Sequence, residues 1–276
     1  MKHIFSVFFL SLFLQTVSAQ DSTQKTKPQF KLSVNYNSGL NYFGRTDSLK
    51  SRGVFPMAEF WINENFYVNA APIFVNNALQ KMDYAGTVAT VGYQYMNEKW
   101  LTNLSVIKPF YEANAQLVQS ALKAQANMSF TRLNKVANIT LGADAKFSDK
   151  VDFGATAGLD HIIRLQAKDN SVLLFDPAIY AYAGTQQFSR TYTRQKSGLP
   201  LPGRNREEQV TETGTRFHIL AYEASLPIIF AKNKMMFIAT PSYILPQNLL
   251  TVPNRPDLSE KGENTFYTTL SLKYSF

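Results

Sequence analysis

The chain has 276 residues, with 28 Lys plus Arg against 20 Asp plus Glu for a formal charge of +8, and it contains no cysteine. This excludes thiolate metal sites, a cysteine nucleophile, a disulfide framework and a lipid-anchored cysteine. Charged residues make up only 17% while mean hydropathy stays at −0.19. A water-soluble domain carries about 25% charged residues, so something other than water faces much of this surface.

Lys2, the apolar run Ile4 to Leu14 and the small residues Val17 and Ala19 read as a secretory signal cut after Ala19. The run falls short of the roughly 20 residues that a spanning helix needs. Residues 1–19 are thus expected to be a signal peptide, 20–29 a flexible polar leader, and 30–276 one folded unit. Removing the signal takes away Lys2, and the charge falls from +8 to +7.

From Phe30 onward apolar residues recur at every second position, the period of strands with two unlike faces. In 136–147, Ala137, Ile139, Leu141, Ala143, Ala145 and Phe147 alternate with Asn138, Thr140, Gly142, Asp144 and Lys146. Segments 151–159 and 123–131 repeat the scheme. Twelve strands are predicted in chain order, over 31–43, 54–62, 66–75, 84–95, 100–107, 122–132, 136–147, 151–164, 172–188, 215–230, 235–245 and 265–276, with 10 or 14 as alternative counts. Alternation alone fits a sandwich or a barrel. Strand lengths near the 9 to 11 residues of a tilted membrane crossing, alternately short and long connections, and aromatic residues near segment ends select an antiparallel up-and-down transmembrane β-barrel.

Two features trouble this assignment. The alanines of 112–126 favour a short helix that would shift or remove the sixth strand, and Pro56, Pro72, Pro177, Pro227 and Pro241 each remove a ladder donor. Such prolines are expected to lower the count of ideal strands or to mark bulges near the membrane rims.

In the final strand Phe266, Leu270, Leu272, Tyr274 and Phe276 share one face. This resembles the terminal strand and assembly signal of outer-membrane β-barrels. The resemblance implies localisation in the outer membrane, both termini in the periplasm, and recognition by the barrel assembly machinery. Together with the Asn-rich strands, the segment Thr240 to Asn248 resembles uncharacterised outer-membrane barrels of Bacteroidota-type bacteria. That narrower resemblance implies no activity.

If the apolar face meets lipid, the lumen receives Glu59, Lys123, Asp144, Lys146, Asp152, Asp160, Arg164, Asp176, Glu223 and Lys273. They are expected either to fill and rigidify a narrow barrel as a charge network or to line a pathway for a small polar solute. The alternative of another class is an outer-membrane lipid hydrolase, in which His161 or His218 would serve Ser171, Ser189 or Ser225. A third reading is an adhesion or complex-forming subunit acting through its long outer loops. No metal-ligand cluster, phosphate-cradling glycine loop or catalytic motif is legible, so no catalytic residue, cofactor or metal is assigned. Arg190, Arg194, Lys196, Arg204 and Arg206 form a basic outer loop, and Asp47-Ser48-Leu49 resembles a glycan-attachment motif of exported Bacteroidota proteins. Expected partners are outer-membrane lipid, lipopolysaccharide, the assembly machinery and a small polar solute. Nucleic acid is excluded because no aromatic stacking series accompanies the cations.

Overall fold

Leu32 and Val34 are 41% and 52% exposed, whereas Ser33 and Asn37 are 7% and 1% exposed. Apolar side chains point out and polar ones point in, the reverse of a soluble sheet. The computed structural model describes residues 27–46, 50–79, 81–112, 122–166, 171–195, 207–249 and 262–276. Its strands are β1 (Gln29–Asn37), β2 (Asn41–Tyr42), β3 (Arg45–Thr46), β4 (Arg52–Trp61), β5 (Phe66–Asn76) and β6 (Asp83–Met96). There follow β7 (Trp100–Tyr111), β8 (Ala124–Arg132), β9 (Asn138–Phe147), β10 (Val151–Asp160), β11 (Ile163–Gln166) and β12 (Ser171–Phe175). The last are β13 (Ala178–Gln195), β14 (Glu207–Ser225), β15 (Ile228–Lys232), β16 (Met235–Pro246) and β17 (Thr265–Ser275).

The ring runs β1, β4, β5, β6, β7, β8, β9, β10, β13, β14, β16, β17 through antiparallel neighbours. It closes where β17 returns to β1, from Lys31 opposite Ser275 to Asn37 opposite Thr269. This is a closed twelve-stranded antiparallel barrel, the count expected from the sequence. Closure matters because an unpaired backbone amide in hydrocarbon costs several kcal/mol. Outward positions such as Val91, Val106, Leu141, Phe153 and Ile179 are 55–60% exposed, forming the apolar belt that a lipid solvent requires.

Three of the twelve walls are interrupted strands. β11, β12 and β15 continue β10, β13 and β14 in unchanged register: Asp160 faces Ala178 and Ile163 faces Phe175, while Ser225 faces Ala178 and Ile228 faces Phe175. Two of the breaks sit at Asp176-Pro177 and Leu226-Pro227, where proline has no N–H to give. Adjacent bonds carry the ladder across them: His161 N–H donates to the Pro177 carbonyl at 3.1 Å, Asp176 N–H to Pro227 at 2.9 Å, and Leu226 N–H to Pro241 at 3.0 Å. Pro177 and Pro227 thus lower the count of uninterrupted strands, one of the two expected effects, and of the two register shifts, at Ile73/Phe74 and Tyr182/Ala183, the first lies one residue past Pro72. Pro56 and Pro72 occupy one rung, since the β4–β5 ladder stops at Val54 opposite Phe74 and resumes at Ala58 opposite Ala70. Two missing donors thus cost one gap rather than two.

The residues at 124–126 open β8 rather than a helix. The expected first strand over 31–43 is shorter: β1 ends at Asn37 and the chain turns into the lumen. The expected loop over 189–214 narrows, because β13 and β14 pair out to Gln195 opposite Glu207. The signal peptide, most of the leader, and Asp47-Ser48-Leu49 lie outside the described residues, as do the side chains of the basic loop.

Several inward glycines have a specific use. Gly92, Gly154 and Gly158 stand opposite Tyr67, Asp144 and Tyr180, and a Cβ at each would lie 2.1–2.2 Å from the facing side chain. The partner side chain lies across the glycine, flat against the wall.

Candidate functional site: the plugged lumen

After Asn37 the chain enters the long-loop end of the barrel as a small hairpin, β2–β3, whose turn residues Phe43 and Gly44 have φ of 53° and 75°. Positive φ at both central positions is the geometry of a two-residue type I′ turn. Gly44 adopts it freely, and a Cβ there would meet Pro246 at 2.8 Å. A bulky Phe at positive φ is strained, so its packing must hold it there. Phe43 is buried among Leu220, Ala221, Ile244 and Tyr267, with its ring centroid 5.0 Å from that of Tyr182. On the far side of the lumen, Leu40 is buried among Phe55, Ile73, Val75 and Val88. The hairpin thus spans the barrel from one wall to the other.

Polar contacts fix it further. Arg45 is 2% exposed; its guanidinium donates to the carbonyls of Phe43 at 3.2 Å, Leu220 at 3.1 Å and Gln247 at 3.1 Å. Asn41 accepts from Gly44 N–H and donates to the Gly39 carbonyl, both at 3.1 Å. Thr268 N–H donates to Ser38 Oγ at 2.8 Å, and Leu40 N–H to the Ser51 carbonyl at 2.8 Å. Burial raises the Tyr42 phenol above its usual value, so the hydroxyl stays neutral beside the ammonium of Lys146.

Eight of the ten sequence-predicted lumen charges face inward, in four separate groups. Glu59 is 4% exposed. It accepts from Lys273 Nζ at 2.9 Å and Trp61 Nε1 at 2.9 Å, with Lys31 at 4.0 Å. Asp144 pairs with Lys146, while Asp152 accepts from Thr185 Oγ1 at 2.8 Å; this group underlies Tyr42 and Phe43, whose ring centroids lie 6.0 Å from Lys146 Nζ. Asp160 accepts from Asn138 Nδ2 at 2.6 Å, beside Asp176. Glu223 accepts from Tyr267 O–H at 2.8 Å. The other two lie elsewhere: Lys123 meets Asp149 at 3.0 Å with both side chains mostly exposed, and Arg164 is exposed on β11, beyond the end of β9. Both keep the correct parity, but the wall beside them has ended.

Between these groups the wall is uncharged. Amide and hydroxyl side chains bond across strands: Ser271 to Asn35 at 2.6 Å, Asn37 to Thr269 at 3.2 Å, Thr131 to Thr140 at 2.8 Å and Asn127 to Ser105 at 3.3 Å. Asn69 Oδ1, Thr90 Oγ1 and Gln94 Oε1 are buried without a protein partner. The reading of the sequence missed the plug, and with it Leu40, Phe43 and Arg45. It also missed Lys31 and Trp61 around Glu59, although the parity of both positions points inward.

Among the described residues, those proposed for a hydrolase are not assembled. His161 follows the outward series Leu159, Ile163, whereas Ser225 faces Ala178, which is 6% exposed and inward. Ser171 lies opposite Lys232 at the short-turn end, and His218 opposite Gly184 toward the other end. The side chain of Ser189 lies outside the described residues. No group of three or more potential metal ligands occurs among the described residues.

No protein-family model matches the chain, and no curated protein matches it. Among solved structures it is similar to LpxR from Salmonella typhimurium, at 7% identity and a TM-score of 0.43 over 88% of this chain and 99% of that one. It is also similar to the beta domain of the Bordetella autotransporter BrkA, at 9% identity and 0.39 over 92% and 100%. A third similar structure is OmpT of Vibrio cholerae, at 8% identity and 0.30 over 91% and 97%.

Proposed function

We propose that the protein is a non-catalytic integral outer-membrane barrel that holds a polar lumen for a small uncharged solute, closed in its resting state by the inturned segment 38–46. In this reading both termini and the short turns face the periplasm, and the plugged end faces outside among lipopolysaccharide. The terminal-strand pattern Phe266, Leu270, Leu272, Tyr274 and Phe276 serves the assembly machinery. The docking of Leu40 and Phe43 on opposite walls, with Arg45 tied to Leu220 and Gln247, carries the reading. Beneath the plug, amides and hydroxyls predominate, and the charges are mostly engaged by neighbours within the barrel. Such a wall exchanges hydrogen bonds with a neutral polar solute at little net cost.

Planar-bilayer recording tests this. The parent protein is expected to show rare or no conductance steps, and the triple variant Leu40→Ala, Phe43→Ala, Arg45→Ala steady ones. Continuous large conductance from the parent would overturn the closed resting state. Silence from both forms would leave a purely structural barrel.

A further inference from the structure

The short-turn end of the barrel carries exposed cations that have no ion-pair partner among the described residues. Lys99, Arg132, Lys135, Arg164, Lys232 and Lys234 are all exposed there. The exposed carboxylates described at that end are Glu64, Glu98 and the C-terminus. None of the six cations has an ion-pair partner among the described residues; at the opposite end Lys50 and Lys123 each meet a carboxylate at 3.0 Å, while Arg52, Lys81, Lys108 and Lys150 are exposed without one among the described residues.

Arg132 is the most organised of them. It stands directly opposite Trp100 in the β7–β8 pairing, and its guanidinium lies 4.9 Å from the indole centroid. Trp100 is 43% exposed and points outward, below Leu104 and Phe130, which are 42% and 44% exposed on the apolar belt. A tryptophan at this level belongs to the headgroup zone. The turn before it is rigid: Asn97 Oδ1 accepts from Lys99 N–H at 2.9 Å and Trp100 N–H at 2.8 Å, and Leu133 N–H donates to the Lys99 carbonyl at 2.8 Å. A cation–π contact of this kind leaves guanidinium N–H groups available to a bidentate oxyanion.

We propose that the outward-facing part of this collar, which leaves out the inward-parity Arg164, is a docking surface for anionic phospholipid headgroups, with Arg132 on Trp100 as its principal position and Lys99 and Lys135 beside it. Charge complementarity at the level of the lipid phosphates selects that occupant. The proposal rests on the reading of the apolar belt as lipid-facing.

Trp61 and Trp100 are the two tryptophans of the chain, so Trp61→Phe leaves Trp100 as sole reporter. Folded Trp61→Phe protein is reconstituted in phosphatidylcholine vesicles containing increasing fractions of brominated phosphatidylglycerol or brominated phosphatidylcholine, and Trp100 quenching is measured. Brominated phosphatidylglycerol is expected to reach half-maximal quenching at about fivefold lower mole fraction, the worth of one well-placed cation. Adding Arg132→Gln and Lys99→Gln is expected to bring the ratio close to one, and raised salt to reduce it. Equal quenching by the two lipids in the Trp61→Phe protein would overturn the proposal. Absence of quenching by either lipid would instead overturn the lipid-facing belt. If Arg132→Gln prevents folding, Lys99→Gln with Lys135→Gln is expected to lower the ratio in its place, and a ratio that neither this pair nor salt reduces would overturn the proposal.

Discussion

Glu59 is the most consequential charge in the barrel. Its side chain is 5% exposed; Lys273 lies 2.9 Å away at 13% exposure and Lys31 4.0 Å away at 16%. Glu59→Ala removes the carboxylate that both ammoniums use and the acceptor for Trp61 Nε1. Stranding a buried charge costs about 3–5 kcal/mol, so a loss of about 4 kcal/mol is expected. With a denaturant slope of about 2 kcal/mol per M, the urea midpoint of the reconstituted barrel falls by about 2 M. Glu59→Gln keeps the volume and the Trp61 acceptor, and should lose less. Glu59→Ala with Lys273→Met removes a stranded cation and should recover part of the loss, a coupling that a double-mutant cycle reads directly. The reasoning is refuted if Glu59→Ala unfolds within about 1 kcal/mol of the parent, because that lumen would then be wet enough to solvate the lysines.

Three further outcomes are expected. Gly86 has φ of 147°, and a Cβ there would lie 2.4 Å from the Phe110 carbonyl oxygen; Gly86→Val should destabilise the β6–β7 edge by about 2 kcal/mol or more, read as a lowered unfolding midpoint. Gly158→Val displaces the Tyr180 ring from the wall and should cost about 1–3 kcal/mol by overpacking, whereas Gly142→Ala, with its nearest neighbour at 3.3 Å, should be close to neutral in the same assay. Deleting Phe276, whose ring lies 5.5 Å from Phe30 and 4.8 Å from Tyr274, should lower the fraction of chain reaching the heat-modifiable folded form in cells. It should have a smaller effect on refolding in detergent, where no assembly machinery takes part.

The walls were legible because alternation is a local property. Segments 136–147 and 151–159 show it without interruption, and they form β9 and β10 with every inward residue as expected. The plug was not legible, because Leu40 and Tyr42 continue the every-second-residue series Phe30, Leu32, Val34 and Tyr36 past the point where β1 stops. Asn37-Ser38-Gly39 carries the turn chemistry that marks this stop, and Phe43-Gly44 the hairpin that follows. The strand breaks were half legible: Asp176-Pro177 and Leu226-Pro227 announce a missing donor, but the unchanged register across each gap depends on the neighbouring strands. Lumen pairings were the least legible. Glu59 and Lys273 are 214 residues apart and meet only because β17 closes on β1 in one register, a long-range fact that no local pattern encodes.

The central claim, that segment 38–46 lies docked inside the barrel mouth, has a direct test because the chain has no cysteine of its own. A Cβ built on Gly44, at the hairpin turn, lies 2.9 Å from the Cβ of Pro246 on β16, a strand that is not β1's neighbour, and a small shift brings the pair to the separation that a disulfide spans. Gly44→Cys with Pro246→Cys, folded and exposed to mild oxidant, is predicted to close an intramolecular disulfide with no free thiol remaining. Two freely titrating thiols in the folded protein would contradict the plugged barrel.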